Sequence, residues 1–223
     1  MPKKLFLQAI TKVTFGILLI GLLIFLPAGT LSFSRGWLFM AVLFIPMLLA
    51  GVILMLFSPE LLKRRLKAKE TQKAQSAVIK MSGVMFVFGF IIAGLDFRFG
   101  WSEISDTVVV TATIVFLLSY LLYAEVIREN KYLSRTIEVS EDQTVVDTGL
   151  YGIVRHPMYM ATLFLFLSMP LILGSFWAFL VFLLYPALIV KRMKHEETFL
   201  EENLDGYKEY QKKVKYRLIP FIW

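Results

Sequence analysis

The sequence predicts an all-α integral membrane protein of about six transmembrane helices, with a C-terminal helical hairpin and a cytoplasmic C-terminal helix. Three observations carry this expectation. Of 223 residues, 57% are hydrophobic and 15% aromatic, and the mean hydropathy is +0.68, more apolar matter than one soluble core of this size holds. Uncharged runs recur at lengths that fit a hydrocarbon slab of ~30 Å, which takes about 20 helical residues at ~1.5 Å each. Lys and Arg collect in alternate loops.

The first run, about 13 to 28, follows Lys3, Lys4 and Lys12 as a signal peptide would. It ends, however, in Leu26-Pro27-Ala28-Gly29 and leads straight into another apolar stretch, so it reads as an uncleaved first helix. Runs at about 36 to 57, 77 to 95 and 105 to 124 each suit one span. The last, about 158 to 190, is too long for one. Pro170 and Gly174-Ser175 interrupt it, and a proline in a helix interior with a Gly-Ser pair behind it predicts two short helices joined by a tight turn. Lys80 is near enough to a helix end to snorkel, and Asp96 reads as an interfacial residue.

Six crossings put both termini on one side. That side receives Lys3, Lys4, Lys12, the run Lys63 to Lys73, the loop Arg128 to Arg155 and the tail from Lys191, while the other receives Arg35 and Arg98. By the positive-inside rule both termini are cytoplasmic, and so is every long polar segment. The same rule explains the net charge of +7 without nucleic acid. The basic loop Ser58 to Ser76 serves the topology and also suits anionic headgroups. No repeat or heptad seam divides the chain, which reads as one membrane domain over 1–223: N-terminal spans over 1–125 and a chemistry-bearing region over 126–223.

Cysteine is absent, which excludes disulfides, thiolate ligands, cysteine nucleophiles and thioester or prenyl attachment to this chain. With only two histidines, His156 and His195, no metal centre is expected.

Two polar segments flank the last hairpin. In the first, Thr136 to Val139 and Thr144 to Val146 are short β-branched runs, followed by Thr148-Gly149-Leu150-Tyr151-Gly152 and Arg155-His156-Pro157-Met158-Tyr159. An extended, turn-rich strip running into a helix is expected, with Pro157 in the first helical turn and Arg155 and His156 extended before it. Such a helix start can cradle an anion or a cofactor. In the second segment, with Met193 as the reference and about 100° per residue, Ile189, Leu200 and Leu204 fall within about 40° of one stripe. Glu196 and Glu197 flank it at about −60° and +40°, while His195 and Glu202 point away. Carboxylates on a buried-side face need partners: ribose hydroxyls, a sulfonium or an arginine would serve, and Arg192, one turn before Glu196, could close onto it.

The strip Val145 to Tyr159, the sequence Arg192-Met193-Lys194-His195-Glu196-Glu197, Gly206-Tyr207-Lys208-Glu209-Tyr210 and the ending Tyr216-Arg217-Leu218-Ile219-Pro220 together resemble the isoprenylcysteine carboxyl methyltransferase and phospholipid methyltransferase superfamily. The likeness covers roughly the C-terminal 90 residues. Leu150 stands where a proline is common and Ala161 where a glycine is, and neither removes a polar group. The resemblance implies an S-adenosylmethionine-dependent methyltransferase acting on a hydrophobic or small acceptor, a carboxylate, thiol or lipid amine, at the cytoplasmic membrane face. It implies a cofactor site formed by Gln143, Thr144, Val145, Val146, Tyr151, His156, Pro157, Met158, Tyr159 and Glu196, with Arg192 contacting substrate. For a thiol or amine acceptor a proton must also leave, and Glu197 or Tyr207 are the candidates. No G-x-G-x-x-G follows a strand, so a Rossmann site is absent. The alternatives are an NADPH-dependent membrane reductase of the sterol reductase type, which the Glu196-Glu197 pair disfavours because a 2′-phosphate needs cations, and a non-enzymatic membrane protein.

Overall fold

The computed structural model describes residues 3–66, 73–133, 139 and 142–223. Nine α-helices make up the regular structure of these residues, with no strand among them: α1 Lys3–Ala28, α2 Ser34–Phe57, α3 Pro59–Leu66, α4 Lys73–Phe99, α5 Asp106–Glu129, α6 Pro157–Ile172, α7 Phe176–Phe182, α8 Leu184–Asn203 and α9 Tyr207–Lys213. Five segments are long and apolar enough to cross a membrane, α7 and α8 counting as one from Phe176 to Asn203, and α6 is a shorter apolar helix. The chain is thus a multi-pass membrane protein, and the interrupted final run is the expected hairpin.

Its outer surface is apolar where a soluble protein would be polar. Phe15, Leu18, Leu22 and Leu26 of α1 and Leu118 and Leu121 of α5 are all exposed, as side chains meeting lipid tails are. The interior is a ladder of rings. Phe39, Phe116 and Phe182 are fully buried, and Phe90 joins them with centroids 5.6 Å from Phe39 and 5.9 Å from Phe182. Small residues let the helices approach. At Gly89 a Cβ would lie 2.3 Å from Phe182 Cε2, so the absence of a side chain on α4 is what admits the α7 ring.

The hairpin turn is built from its own sequence. Gly174 has φ +77°, a conformation that favours glycine, and a Cβ there would meet Arg35 Nη1 at 2.3 Å. Ser175 caps α7, its hydroxyl accepting from Ala178 N at 3.0 Å and donating to Asp96. Asp96, expected to be interfacial from its position at a span end, is enclosed by the protein there: it is 2% exposed and also accepts from Ser102 N and Ser102 Oγ, both at 2.7 Å. Serines from two turns remote in sequence supply the partners that make this burial tolerable. Arg35 completes that end, donating to Asp106 Oδ1 at 2.8 Å and Ile104 O at 3.0 Å.

At the opposite, basic end, the segment expected to be a loop after α2 contains α3. Pro59 begins it, Leu62 is buried against the bundle, and Lys12 donates to Leu66 O at its C-terminus. Of the basic loop, Lys67 and Lys69 lie outside the described residues, as do Thr136, Ile137 and Glu138.

Candidate functional site

At its basic end α5 finishes at Asn130, whose N–H reaches Val126 O at 3.0 Å. The Asn130 side chain then organises the following chain: Oδ1 accepts from Tyr132 N at 2.9 Å and Nδ2 donates to the Tyr151 hydroxyl at 3.0 Å. Gly149–Gly152 form a single 3₁₀ turn, pinned by Leu150 N donating to Glu129 Oε2 at 2.9 Å. Thr144 to Val146 carry no regular structure, consistent with an irregular strip entering a helix. Pro157 occupies the first turn of α6 and His156 is its N-cap, with His156 O accepting from Tyr159 N and Met160 N. Such a start is what a proline favours, since its missing N–H would have no helical partner there.

The C-terminal segment returns beside this strip. Val154 bridges Tyr216 in parallel, Arg155 N donates to Tyr216 O and His156 N to Arg217 O, both at 2.9 Å. Glu197 is the point on which these pieces converge. Its Oε1 accepts from Arg155 Nε at 2.8 Å and lies 3.1 Å from His156 Nε2, and its Oε2 accepts from Arg217 Nε at 3.0 Å. Arg155 reaches on to Val214 O at 2.7 Å. The carboxylate is 3% exposed, so without these donors its burial would be strongly unfavourable.

Glu196, the adjacent residue, has a different environment. Its carboxylate accepts from the Tyr159 hydroxyl, and Arg192 Nε donates to the same hydroxyl at 2.9 Å. The one-turn contact between Arg192 and Glu196 that spacing allowed is thus mediated by a phenol from α6. His156 stacks on Tyr159 with centroids 5.5 Å apart and planes at 28°.

These groups surround one cleft at the basic end. Gln143, Thr144, Val145, Val146, Tyr151, His156, Met158, Tyr159, Arg192 and Glu196 line it, whereas Pro157 and Glu197 do not. Pro157 shapes the helix start, and Glu197 lies behind the wall, bound to three donors, which leaves it ill placed to accept a proton from a ligand. Asn130, Tyr132, Leu133, Arg155, Tyr207 and Tyr210 also line the cleft without having been singled out as binding residues. Leu200 and Leu204, the apolar stripe of α8, form part of its floor with Val145 and the two tyrosines. The Gly-Tyr-x-x-Tyr spacing was the signal for these tyrosines: it starts α9 after Gly206, φ +82°, and both rings are buried.

Burial holds the tyrosines neutral. It pushes the Tyr151 phenol up to about 12 and raises Tyr207 and Tyr210 further, with the nearby Glu197 carboxylate adding to the effect on Tyr207. A phenol so disposed is a poor base, which removes the case for Tyr207 as proton acceptor. Outside the cleft Lys213 donates to Asp147 at 2.6 Å and lowers that carboxyl, tying the strip to α9. Among the described residues no group of three or more His, Asp or Glu side chains is placed to hold a metal ion.

A family model described as phospholipid methyltransferase matches residues 107–206, from the first turn of α5 to the turn before α9. That stretch carries the strip, the hairpin and both glutamates. Residues 107–206 are thus similar to the phospholipid methyltransferase family. This matched region supplies most of the cleft, and the segment from Tyr207 onward supplies the rest. The chain is also similar to a Delta(14)-sterol reductase of Mus musculus, 32% identical over 91 residues, which is 40% of this chain and 22% of that relative.

Proposed function

We propose that this protein is an S-adenosylmethionine-dependent methyltransferase whose cofactor binds in the cleft between the 143–159 strip and α8, at the cytoplasmic face of the membrane. The observation that carries this is the make-up of the cleft inside the region similar to the phospholipid methyltransferase family. One lobe is apolar and aromatic, with Val145, Leu200, Leu204, Tyr207 and Tyr210, and suits a purine ring. The other is polar, with Tyr159, Arg192 and Glu196, where a carboxylate suits ribose hydroxyls or a sulfonium. The sulfonium, when bound, supplies an already activated methyl group. The chain's own residues then align reactants and exclude water. Glu197, His156, Arg155 and Arg217 keep the wall rigid, and Arg192 orients the acceptor.

The acceptor is hydrophobic or small and reaches the cleft from the bilayer or the adjacent water. The Lys and Arg residues of the loops at that end favour a cytoplasmic cleft by the positive-inside rule, and there the water-soluble cofactor is available.

The likeness to a sterol reductase favours a second reading, NADPH-dependent reduction. Glu196 weighs against it, since its carboxylate lines the cleft and would repel a 2′-phosphate. Titration of the detergent-solubilised full chain with S-adenosylhomocysteine and with NADPH separates the two. Binding of the first, weakened about tenfold or more in His156→Ala or Glu196→Ala variants that remain folded, is the expected result. Binding of NADPH alone, or unchanged affinity in both variants, would refute the assignment.

A further inference from the structure

Leu218 is buried in the main core cluster and Ile219 packs against it, so the segment that follows α9 returns to the bundle that spans the membrane. There it turns back on itself. Leu218 N and Ile219 N donate to Trp223 O at 2.8 and 2.9 Å, and Trp223 N donates to Ile219 O at 3.0 Å. The turn leaves large apolar side chains uncovered: Phe221 is 84% exposed and Ile222 76%. Phe221 also has φ +65°, the one positive value at a non-glycine residue among the described residues. A bulky side chain is strained in that conformation, which persists only where the surroundings favour it.

The level of the turn in the molecule says what those surroundings are. Tyr216 and Arg217 run beside Arg155 and His156, which lead directly into the apolar helix α6. Ile153, on the other side of that contact, is exposed as well. Phe221 and Ile222 thus sit where the apolar belt of the molecule meets its polar end. Lys212 and Lys215, both exposed, precede them and complement anionic headgroups. The Arg217 guanidinium lies 5.6 Å from the centre of the Trp223 ring, and both side chains have the apolar body and polar tip that the headgroup layer favours.

We propose that residues 218–223 form an interfacial anchor: Phe221 and Ile222 insert into the leaflet at the basic end of the molecule, and this insertion holds Arg217 on Glu197. Arg217 is the shared residue. Its guanidinium stands over Trp223, its Nε donates to Glu197 Oε2 at 3.0 Å, and its carbonyl accepts from His156 N at 2.9 Å. A turn seated in lipid fixes all three contacts together, whereas a turn loose in water would let the arginine leave the carboxylate. The bilayer becomes part of the support of the cleft wall. This goes beyond the methyl-donor reading and does not depend on it.

The test uses the full chain in nanodiscs of phosphatidylcholine and phosphatidylglycerol. Because the sequence has no cysteine, Ile222→Cys carries a single environment-sensitive fluorophore, with Glu202→Cys, exposed on α8, as the aqueous reference. At position 222 the fluorophore should be quenched by lipids spin-labelled near the top of the acyl chain and shielded from iodide, the reverse of position 202. Hydrogen exchange reads the wall. The amides of Arg155 and His156, which donate to Tyr216 O and Arg217 O, should exchange about tenfold faster in the double variant Phe221→Ser, Ile222→Ser than in wild type. In Phe221→Trp, Ile222→Leu, which keeps the apolar character and changes the shape, they should exchange as in wild type. Iodide quenching at position 222 equal to that at position 202 overturns the anchor. Shielding from both quenchers in particles that hold two copies overturns it too, in favour of a protein interface. Unchanged exchange in the serine variant overturns the hold on Arg217, and lost protection in the Trp, Leu variant overturns lipid as the partner, since lipid does not read shape.

Discussion

The two consecutive glutamates of α8 have identical side chains and opposite circumstances. Glu197 is held by Arg155, His156 and Arg217 behind the cleft wall, and Glu196, among the described residues, meets the Tyr159 hydroxyl that Arg192 also contacts at the cleft surface. Their substitutions should therefore differ in kind. Glu197→Ala leaves three donors facing a buried void and is expected to destabilise by about 3–5 kcal/mol, read as a large loss of melting temperature in detergent. Glu196→Ala should cost little stability and act on ligand binding. Arg192→Ala is expected to leave cofactor affinity nearly intact and cut turnover, with Arg192→Lys recovering only part, since lysine lacks the planar fork. A fully active Arg192→Ala would end the acceptor-orienting role. The Tyr207 hydroxyl offers a test of opposite sign. It is buried without a hydrogen-bond partner among the described residues, so Tyr207→Phe should leave thermal stability unchanged or raise it by about 1 kcal/mol, and a clear drop would mean that the hydroxyl has a partner after all. For Tyr151, whose folded value is raised to about 12, the native state favours the neutral phenol. That contribution is complete below the unfolded value of about 10 and is lost as pH rises from there toward about 12, which alkaline melts of wild type and Tyr151→Phe should show.

Among the elements, the α4–α7 contact depends on a missing side chain. Gly89→Ala would press a Cβ to within 2.3 Å of the Phe182 ring, and either the ring or α7 must move, so a loss of about 1–3 kcal/mol is expected. The long apolar helices and the hairpin were legible in the sequence because a span needs a fixed length of uncharged chain and a Gly-Ser pair after a proline ends one. The start of α6 at Pro157 was legible for the same local reason. Helix α3 was not, since an amphipathic stretch of only eight residues is too short to set apart from a basic loop, and its buried anchor, Leu62, is recognisable only once the bundle exists. Helical phase turned both glutamates toward the protein but could not distinguish Glu197, met by Arg217 from the tail, from Glu196, met by Tyr159 across α6. Asp96 likewise became a buried residue only through Ser102 and Ser175. Apart from α3 and the short reach from Asp96 to Ser102, what escaped were contacts between segments distant in the chain.

For the molecule as a whole, the assignment of the cleft to the cytoplasmic side is a statement about orientation in the bilayer. Reporter fusions after Trp223 and within Ser58–Ser76 should both report the cytoplasm, and a C-terminus found outside would separate the cleft from its water-soluble cofactor. The carboxylate of Glu197 has a further consequence, one of timing. It joins the entry to α6, the middle of α8 and the returning segment at Arg217, and the last of these follows every cleft residue in chain order. In vectorial synthesis the six apolar helices can therefore be threaded into the bilayer before any donor from Arg217 or backbone acceptor from Tyr216 exists to close the wall. Insertion and maturation become separate events. A nascent chain halted before Lys215 should be fully embedded yet unable to retain the cofactor, and competence to bind should arrive with the few residues that follow.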